Sequence, residues 1–247
     1  MSAERLAELI RTSGPCVALT GAGISTESGI PDFRSRTGIW ADVDPREVAS
    51  LSAFRRDPER VWTFYRARIE LLTGAEPNRA HRALAELERR GLLEAVVTQN
   101  IDLLHERAGS TRVIEVHGSI RRASCARCRR SYPLAEVLEL LTAHEGAPKC
   151  RECSGILKPD VVFFEEMLPE AAIDEAYRLA REAGLLLVVG SSLEVYPVAE
   201  LPAVTKTAGG RVAVVNKGPT SFSGGADLVL DGSAGEILEQ VVTALDG

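Results

Sequence analysis

The stretch Cys16-Val-Ala-Leu-Thr-Gly-Ala-Gly-Ile-Ser25 decides the fold class of this chain. Its first half has the composition of a short buried strand, and it runs directly into a glycine-rich turn. Small residues at such a turn let backbone N–H groups approach a phosphate. The full dinucleotide fingerprint has a third glycine, where this chain has Thr26. The turn alone therefore fits either a dinucleotide site or an ordinary strand–helix connection.

Strand and helix patterns alternate along the rest of the chain. Apolar, β-branched runs predict strands at residues 95–98, 113–116, 161–164, 185–189, 212–215 and 228–230. Helical spacing of apolar residues predicts helices at residues 3–13, 79–90, 169–183 and 234–245. This alternation indicates an α/β fold, a Rossmann-like parallel sheet with helices on both faces.

Two stretches are too long to be simple crossovers, and we expect them to be inserted modules. Residues 35–77 have a helical pattern, with Asp57 and Pro58 placed as N-cap and first helical residue. Residues 118–158 carry four of the five cysteines. We therefore expect a Rossmann-like domain made of residues 1–34, 78–117 and 159–247. The helical insertion and the zinc-binding insertion would together form a smaller domain.

The four clustered cysteines form two Cys-x-x-Cys pairs, Cys125 with Cys128 and Cys150 with Cys153. Their spacing is close to that of zinc ribbons, in which four thiolates complete a tetrahedral shell and leave no position for water. The sequence thus predicts a structural zinc ion, although the spacing does not distinguish zinc from iron. Paired metal-type cysteines and a charged N-terminus without a signal-peptide stretch predict a cytoplasmic protein.

Composition narrows the possible partners. The chain has 247 residues, of which 45% are hydrophobic and 26% are charged. This composition is that of an ordinary globular protein, and the net charge is −6. An acidic chain without a long apolar run gives no reason to expect nucleic-acid or membrane binding. The zinc insertion is locally basic, notably at Arg127, Arg129 and Arg130, but a solvated face explains this as well. The sequence leaves the oligomeric state open, with a monomer favoured.

A series of ordered motifs resembles the sirtuin family. They are Gly21-Ala-Gly-Ile-Ser25, Gly29-Ile-Pro-Asp-Phe-Arg34, Thr98-Gln-Asn-Ile-Asp102, Val116-His-Gly118, the two cysteine pairs and Gly190-Ser-Ser-Leu193. The resemblance runs from about Pro15 to Ala234 and implies an NAD-dependent protein lysine deacylase. NAD would be consumed as a co-substrate, and acylated-lysine proteins or peptides would be the partners. The acyl oxygen would displace nicotinamide, and free lysine and O-acyl-ADP-ribose would result.

The resemblance also assigns residues to the site. His117 follows a predicted strand and would be the general base that activates the ribose hydroxyls, while Asn100 would hold an ordered water. Residues matching the NAD contacts are Gly21, Ala22, Gly23, Ser25, Phe33, Arg34, Gln99, Asn100, Ile101, Asp102, Gly190, Ser191, Ser192, Asn216, Lys217, Gly218 and Ala234. A local explanation also exists, since Asn100 could cap a helix beginning at Ile101, with Asp102 in its first turn.

Tyr65-x-x-Arg68 resembles the class III desuccinylase and demalonylase branch of sirtuins, which includes bacterial CobB-type enzymes. At positions i and i+3 of a helix, a phenol and a guanidinium can bind one carboxylate together. In that branch a small residue matching Ala49 leaves room for the acyl chain. The implied activity removes succinyl, malonyl and acetyl groups. A plain deacetylase is the alternative, and without the resemblance the pair fits an exposed helix surface.

The resemblance places the substrate peptide as an extended strand between residues 163–167 and 194–196. The residues expected beside it are Val162, Phe163, Phe164, Glu194 and Val195. Sirtuins usually have Phe-Gly-Glu where this chain has Phe164-Glu165-Glu166. We expect the missing glycine to remove access to positive φ and to change peptide binding more than NAD chemistry. The sequence leaves three other functions open: mono-ADP-ribosyl transfer, non-catalytic regulation by an NAD- and zinc-binding protein, and simple NAD-dependent dehydrogenation.

Overall fold

The computed structural model of the protein describes residues 2–33, 35, 38–143 and 145–246. Its strands are β1 (Cys16–Thr20), β2 (Ala95–Thr98), β3 (Val113–Glu115), β4 (Gly118–Cys125), β5 (Ser131–Pro133), β6 (Leu157–Val161), β7 (Leu185–Val189), β8 (Arg211–Asn216) and β9 (Leu228–Asp231). Its α-helices are α1 (Ser2–Thr12), α2 (Pro45–Val48), α3 (Leu51–Arg56), α4 (Pro58–Gly74), α5 (Arg79–Arg89), α6 (Leu104–Ala108), α7 (Leu134–Ala143), α8 (Glu170–Glu182), α9 (Leu201–Thr207) and α10 (Ala234–Ala244).

Six parallel strands form the main sheet, in the order β3-β2-β1-β7-β8-β9. Every residue of β1 and β7 is buried, as expected for central strands covered on both faces. Leu6 of α1, Leu84 of α5 and Leu238 of α10 share a core on one face, and Leu179 of α8 and Leu201 of α9 lie in the core of the other. The predicted parallel sheet with helices on both faces is confirmed.

The two insertions share one hydrophobic core. Trp62 of the helical insertion, and Tyr132 and Leu157 of the cysteine-bearing insertion, are buried in the same cluster. The indole Nε1 of Trp62 donates a hydrogen bond of 2.7 Å to the Leu157 carbonyl. The predicted cap of α4 is confirmed, since the Asp57 side chain accepts from the Arg60 amide and Pro58 begins the helix. We call this combined region the small unit; it comprises α2–α4, β4–β6 and α7.

The strand predicted at residues 161–164 is wrong. The structure places β6 at Leu157–Val161, where it pairs antiparallel with β4 in a three-stranded sheet of order β5-β4-β6. The apolar run 161–164 indicated a buried strand, but Phe163 instead packs into the core of the small unit. Periodicity cannot distinguish these destinations, because both bury the same side chains. The boundary expected after Lys158 thus divides β6, and the domain limits stay a prediction.

The strand order of the main sheet reverses at β1: β2 and β3 follow on one side of it, and β7, β8 and β9 follow on the other. The glycine turn follows β1 at this switch point. The Gly23 amide donates to the Gly190 carbonyl at 2.8 Å. Gly190 has a φ of +60°, and a Cβ on it would lie 2.1 Å from the Ile24 nitrogen. The turn therefore packs backbone against backbone, at the position where open α/β sheets bind ligands. The helix that follows it, Ala22–Ser28, is a 3₁₀-helix.

Candidate active site

A cavity of about 1020 Å³ lies between the carboxyl edge of the parallel sheet and the small unit. Its size suits a dinucleotide together with part of a second substrate. The residues predicted from the sequence that line it are Gly21, Ala22, Gly23, Ser25, Phe33, Ala49, Tyr65, Arg68, Gln99, Asn100, Ile101, Asp102, His117, Val162, Phe163, Phe164, Gly190, Ser191, Ser192, Glu194, Val195, Asn216, Lys217 and Ala234.

The predicted NAD-binding set has two further members. Arg34 lies outside the described residues. Gly218 is not among the residues that line the cavity, and its contact with NAD stays a prediction. Its amide donates to Asp231 Oδ1 at 2.8 Å and its carbonyl accepts from the Asn216 side chain at 3.0 Å. Gly218, with a φ of +84°, shapes the loop after β8, while its neighbours Lys217 and Pro219 face the cavity.

A buried polar network forms the floor of the cavity. The Ser25 hydroxyl donates to Asp102 Oδ2 at 2.7 Å, and Asn100 Nδ2 donates to the Gly21 carbonyl at 3.1 Å and to Ser25 Oγ at 3.2 Å. Burial raises the pKa of the Asp102 carboxyl, although hydrogen bonds from Leu104 and Ser25 oppose this shift. These side chains are fixed before any ligand binds, which favours recognition of a polar group such as a carboxamide.

The local explanation for Asn100 is wrong, because no helix begins at Ile101. Helix α6 begins at Leu104. Asp102 does support its first turn, since Oδ1 accepts from the Leu104 amide at 3.0 Å. Asn100 is directed instead to the glycine turn and Ser25, within the cavity wall.

Two histidines, His81 and His105, lie beneath this floor with ring centroids 4.9 Å apart. His81 Nδ1 accepts from the Asn78 amide, so Nε2 carries the proton and faces Ser25 Oγ at 3.4 Å. Burial lowers the pKa of His81 to about 4 and that of His105 to about 3. Both rings are therefore neutral at neutral pH and support the floor without adding charge.

His117 follows β3 and is half-buried at the cavity wall. Its Nδ1 lies 3.1 Å from the Gln99 carbonyl oxygen. Because a carbonyl only accepts, this hydrogen bond places the proton of the neutral ring on Nδ1 and the lone pair on Nε2. Gln99 Nε2 in turn donates to Ser191 Oγ at 2.9 Å, which connects the loops after β2 and β7. The arrangement presents an oriented imidazole base to the cavity.

Aromatic rings form the wall opposite the sheet. Tyr65 stacks on Phe163 with centroids 5.3 Å apart, and Phe33 stacks on Trp40 at 5.2 Å. Burial raises the pKa of the Tyr65 phenol, which therefore stays protonated and can donate. Ala49 lies in the same wall and is small enough to leave space beside these rings.

Arg68 is the only arginine of the cavity wall among the residues that the structure describes, and it is 9% exposed. Its guanidinium carbon lies 4.8 Å from the centroid of Phe33. Burial lowers the pKa of this guanidinium, and the nearby Tyr65 and Asp102 only partly oppose the shift. In the described ranges it makes no hydrogen bond or ion pair. The exposed-surface explanation for Tyr65 and Arg68 is therefore wrong.

The loop of residues 162–166 pairs with the segment that leads into α3. We call it the substrate loop, because the sequence predicts residues 163–167 beside the substrate peptide. The Phe164 amide donates to the Ala49 carbonyl at 2.9 Å, and the Leu51 amide donates to the Phe164 carbonyl at 3.1 Å. Phe164, Met167 and Tyr196 are exposed although they are large and apolar. An exposed apolar rim beside a cavity is typical of a surface that a partner covers.

The expectation that Glu165 loses positive φ is wrong. Glu165 has a φ of +73°, in the left-handed region that favours glycine. For a residue with a Cβ this conformation costs about 1 kcal/mol. Its carboxylate accepts from the Ser52 amide at 2.9 Å and from the Ser52 hydroxyl at 2.8 Å. These hydrogen bonds offset the backbone cost, so the loop keeps the backbone conformation that a glycine would allow.

The four cysteines of the small unit lie together. All four Sγ atoms are within 4.8 Å of one another, with Cys125 and Cys153 3.5 Å apart and Cys128 and Cys150 3.6 Å apart. Tetrahedral zinc with Zn–S distances of about 2.3 Å needs sulfur atoms about 3.8 Å apart. The donor set and its spacing thus fit one four-coordinate zinc ion, which would be structural because no position is left for water.

Both Cys-x-x-Cys turns have the same local geometry. The Arg129 amide donates to the Cys125 carbonyl and the Ser154 amide to the Cys150 carbonyl. Arg129 and Ser154 each have positive φ, at 66° and 60°. The Tyr132 hydroxyl donates to Cys150 Sγ at 3.2 Å and lowers the pKa of this thiol to about 6, although its burial acts in the opposite direction. This hydrogen bond favours the thiolate of Cys150, the form that binds metal.

Two arginines of the basic surface of the small unit lie beside glutamates. Arg130 pairs with Glu152, and Arg151 lies 3.5 Å from Glu136 and 3.2 Å from Glu139. Of the three clustered arginines, Arg130 is the one in an ion pair among the described residues, so the pairs remove part of the support for a nucleic-acid-binding regulator. In the part of the chain that the structure describes, no helix has the length and apolarity needed to cross a bilayer.

Sequence reasoning missed several residues of the cavity wall: Glu27, Trp40, Phe64, Leu72 and Ser233. Two of these residues could have been found from a local pattern in the sequence. Leu72 is four residues after Arg68 on the same helix face, and Ser233 caps α10, with its Oγ accepting from the Glu236 amide. Trp40 and Phe64 reach the wall only through packing between insertions, which no local pattern reveals.

A sequence profile of the Sir2 family matches residues 21–197. The chain is 45% identical over 241 residues to an NAD-dependent protein deacylase of Thermococcus sibiricus, covering 97% of this chain and 94% of the relative. It is 49% identical over 228 residues to an NAD-dependent protein deacetylase of Sulfolobus acidocaldarius, covering 92% and 89%. A solved Sir2 protein with a p53 peptide and NAD+ matches at a TM-score of 0.91 and 42% identity, covering 98% of both chains. The resemblance of the motifs is thereby confirmed, and the chain belongs to the Sir2 family, the sirtuins.

Proposed function

We propose that this sirtuin is an NAD-dependent protein lysine deacylase that prefers acyl groups ending in a carboxylate, such as succinyl and malonyl. The general activity is supported by the family, by the names of the relatives and by a cavity that places an oriented imidazole beside a fixed polar floor. The acyl preference is carried by one observation, the buried guanidinium of Arg68, which makes no hydrogen bond or ion pair with the described residues although the Asp102 carboxylate is nearby.

An unpaired buried cation is costly, because burial removes its hydration without supplying a counter-ion. Arg68 shares the aromatic pocket with Tyr65, whose phenol is held protonated by burial. A carboxylate entering beside them gains the charge of one group and the O–H donor of the other. An acetyl group ends in a methyl and leaves the guanidinium unpaired, so binding of the acidic acyl chain is favoured.

In the proposed reaction the acyl oxygen attacks C1′ of the nicotinamide ribose, and nicotinamide leaves. Asp102, Ser25 and Asn100 would hold the carboxamide and an ordered water, since they form the fixed polar floor. His117 Nε2 would accept a proton from a ribose hydroxyl, which then attacks the acyl carbon. Water completes the release of lysine and O-acyl-ADP-ribose. Phe33 would cover C1′ and exclude water meanwhile.

The small unit would contribute in a second way. Zinc held by Cys125, Cys128, Cys150 and Cys153 would stabilise the insertion that carries β4–β6, and so the wall that contains Phe163. The ion has no open coordination position and would take no part in the chemistry.

The test compares peptides of one sequence carrying succinyl-, malonyl- or acetyl-lysine, with and without NAD, by mass spectrometry. We expect NAD-dependent removal of the acidic groups in preference to acetyl, and loss of all turnover in His117→Ala. Tyr65→Phe combined with Arg68→Met should lose desuccinylation and keep deacetylation.

Acetyl preference in the unaltered protein would contradict the acyl specificity and leave a plain deacetylase. Equal loss of both activities in the double variant would contradict the role of Tyr65 and Arg68. Transfer of label from NAD to the acceptor protein would indicate mono-ADP-ribosyl transfer instead.

A further inference from the structure

Glu165 makes a contact that crosses between two distant parts of the chain. Both oxygens of its carboxylate accept hydrogen bonds from one residue, Ser52, through the backbone amide and the side-chain hydroxyl. Glu165 lies in the substrate loop, whereas Ser52 lies in the first turn of α3 in the helical insertion. The carboxylate thus joins the loop to the helical insertion. This insertion also carries Ala49, Tyr65 and Arg68, which form the proposed acyl pocket.

Backbone hydrogen bonds join the same two segments. The Phe164 amide and carbonyl pair with Ala49 and Leu51, immediately before Ser52. These bonds and the Glu165 side chain give the loop four hydrogen bonds to residues 49–52. Phe163 of the loop packs against Phe54 of α3 and Tyr65 of α4, with ring centroids 6.0 and 5.3 Å apart. Phe164 and Met167 are exposed, so after Phe163 the hydrogen bonds to residues 49–52 are what hold the loop on this side.

The other glutamate of the loop has a different role. Glu166 accepts from the Phe163 amide and pairs with Lys158 at 2.8 Å, and both partners are close in sequence. Glu166 therefore stabilises the turn internally, while Glu165 fixes the turn to the helical insertion. Of the two, Glu165 is the one whose carboxylate bonds the helical insertion among the described residues.

We propose that Glu165 is a positioning residue that holds the substrate loop in its peptide-binding conformation by bonding Ser52. The loop is then ordered before the peptide arrives, so less conformational entropy is lost on binding. This inference rests on the proposed function only in taking an acylated peptide as the ligand. Because the carboxylate acts through Ser52, the effect is independent of the acyl group and of the charge of the peptide.

Two substitutions of Glu165 fit the backbone. Glu165→Gly and Glu165→Asn both tolerate a φ of +73° and remove the contact, so the fold is retained. Ser52→Ala removes the hydroxyl donor and leaves the charge of Glu165 unchanged. Glu170→Gln, an exposed carboxylate at the start of α8, is the matched control.

We expect Glu165→Gly and Glu165→Asn to raise the peptide KM about fivefold, with kcat and the NAD KM unchanged. Ser52→Ala should raise the peptide KM about twofold. In the double variant with Glu165→Gly the effect should not exceed that of Glu165→Gly alone. Glu170→Gln should change nothing. Amide hydrogen exchange of residues 162–166 should quicken in the Glu165 and Ser52 variants only.

The outcomes separate the possible causes. If Ser52→Ala leaves the peptide KM unchanged while Glu165→Gly raises it only for basic peptides, Glu165 contacts the substrate directly and the proposal fails. Unchanged hydrogen exchange in every variant also overturns it. The exchange measurement needs no turnover and the kinetics use whichever acyl group is removed, so failure of the proposed acyl preference would be seen separately.

Discussion

The sheet edge and the small unit build the two walls of the same cavity in different ways. At the sheet edge, backbone contacts such as Gly23 to Gly190 and short polar chains such as Ser25 to Asp102 fix the site. In the small unit, aromatic rings and a cysteine cluster from separate stretches of sequence fix it. The first wall depends on local motifs after strands, and the second depends on packing between insertions. Because the two walls are built differently, a change that disturbs one of them should leave the other unaffected.

The largest effect is expected from removing the metal. Chelation or Cys150→Ser should unfold β4–β6, because a structural zinc site supplies about 10 kcal/mol of folding free energy in small domains. Hydrogen exchange should then quicken in β4 and α4 while β1 and β7 stay protected. Cys16→Ala, which alters the buried cysteine outside the cluster, should retain one bound metal ion per chain. A single transition that exposes all strands together would show that the walls are not separable.

Gly190→Ala should damage the sheet-edge wall. A Cβ there would lie 2.1 Å from the Ile24 nitrogen, and φ is +60°. We expect the free energy of unfolding to fall by at least about 2 kcal/mol and the NAD KM to rise more than tenfold. Gly224→Ala is the control, because nothing lies within 4 Å of its added Cβ. A normal NAD KM in Gly190→Ala would contradict the role of the close backbone contact.

Acid should weaken the floor beneath the sheet-edge site. The native pKa values of His81 and His105, about 4 and about 3, lie below the ordinary value of 6.5. Between pH 6.5 and 4 the unfolded chain therefore binds protons that the native protein does not. As the pH decreases through this range, the free energy of unfolding should decrease by about 1.4 kcal/mol per pH unit for each histidine. Urea unfolding at several pH values should show a smaller slope for His105→Leu; an equal slope would contradict this assignment.

The smallest effect concerns Arg68 in the small unit. Arg68→Met should raise the free energy of unfolding by about 1 kcal/mol, because it replaces a buried charge that makes no ion pair with the described residues by an apolar side chain. Desuccinylation should be lost at the same time. Arg66→Met should instead lower stability, since the Arg66 guanidinium donates to the carbonyls of Leu141 and Gly146. Thermal unfolding of both variants measures these changes in stability. A destabilised Arg68→Met would show that other groups compensate the charge of Arg68.

Several features of this protein follow from sequence alone. The strand–turn of residues 16–25, the helix cap at Asp57 and the paired cysteines depend on neighbours within a few residues. Local spacing determines such features, because backbone geometry repeats with a fixed period and side-chain chemistry has a fixed reach. The parallel sheet follows in the same way from the alternation of strands and helices.

Tertiary structure alone decided where the ambiguous side chains lie. The run at residues 161–164 could have joined either sheet, Asn100 could have capped a helix, and Tyr65 with Arg68 could have faced water. Glu165 keeps a left-handed backbone because Ser52, which lies more than a hundred residues earlier in the chain, donates two hydrogen bonds to its carboxylate. In each case the free energy comes from partners distant in sequence, which only the folded chain brings into contact.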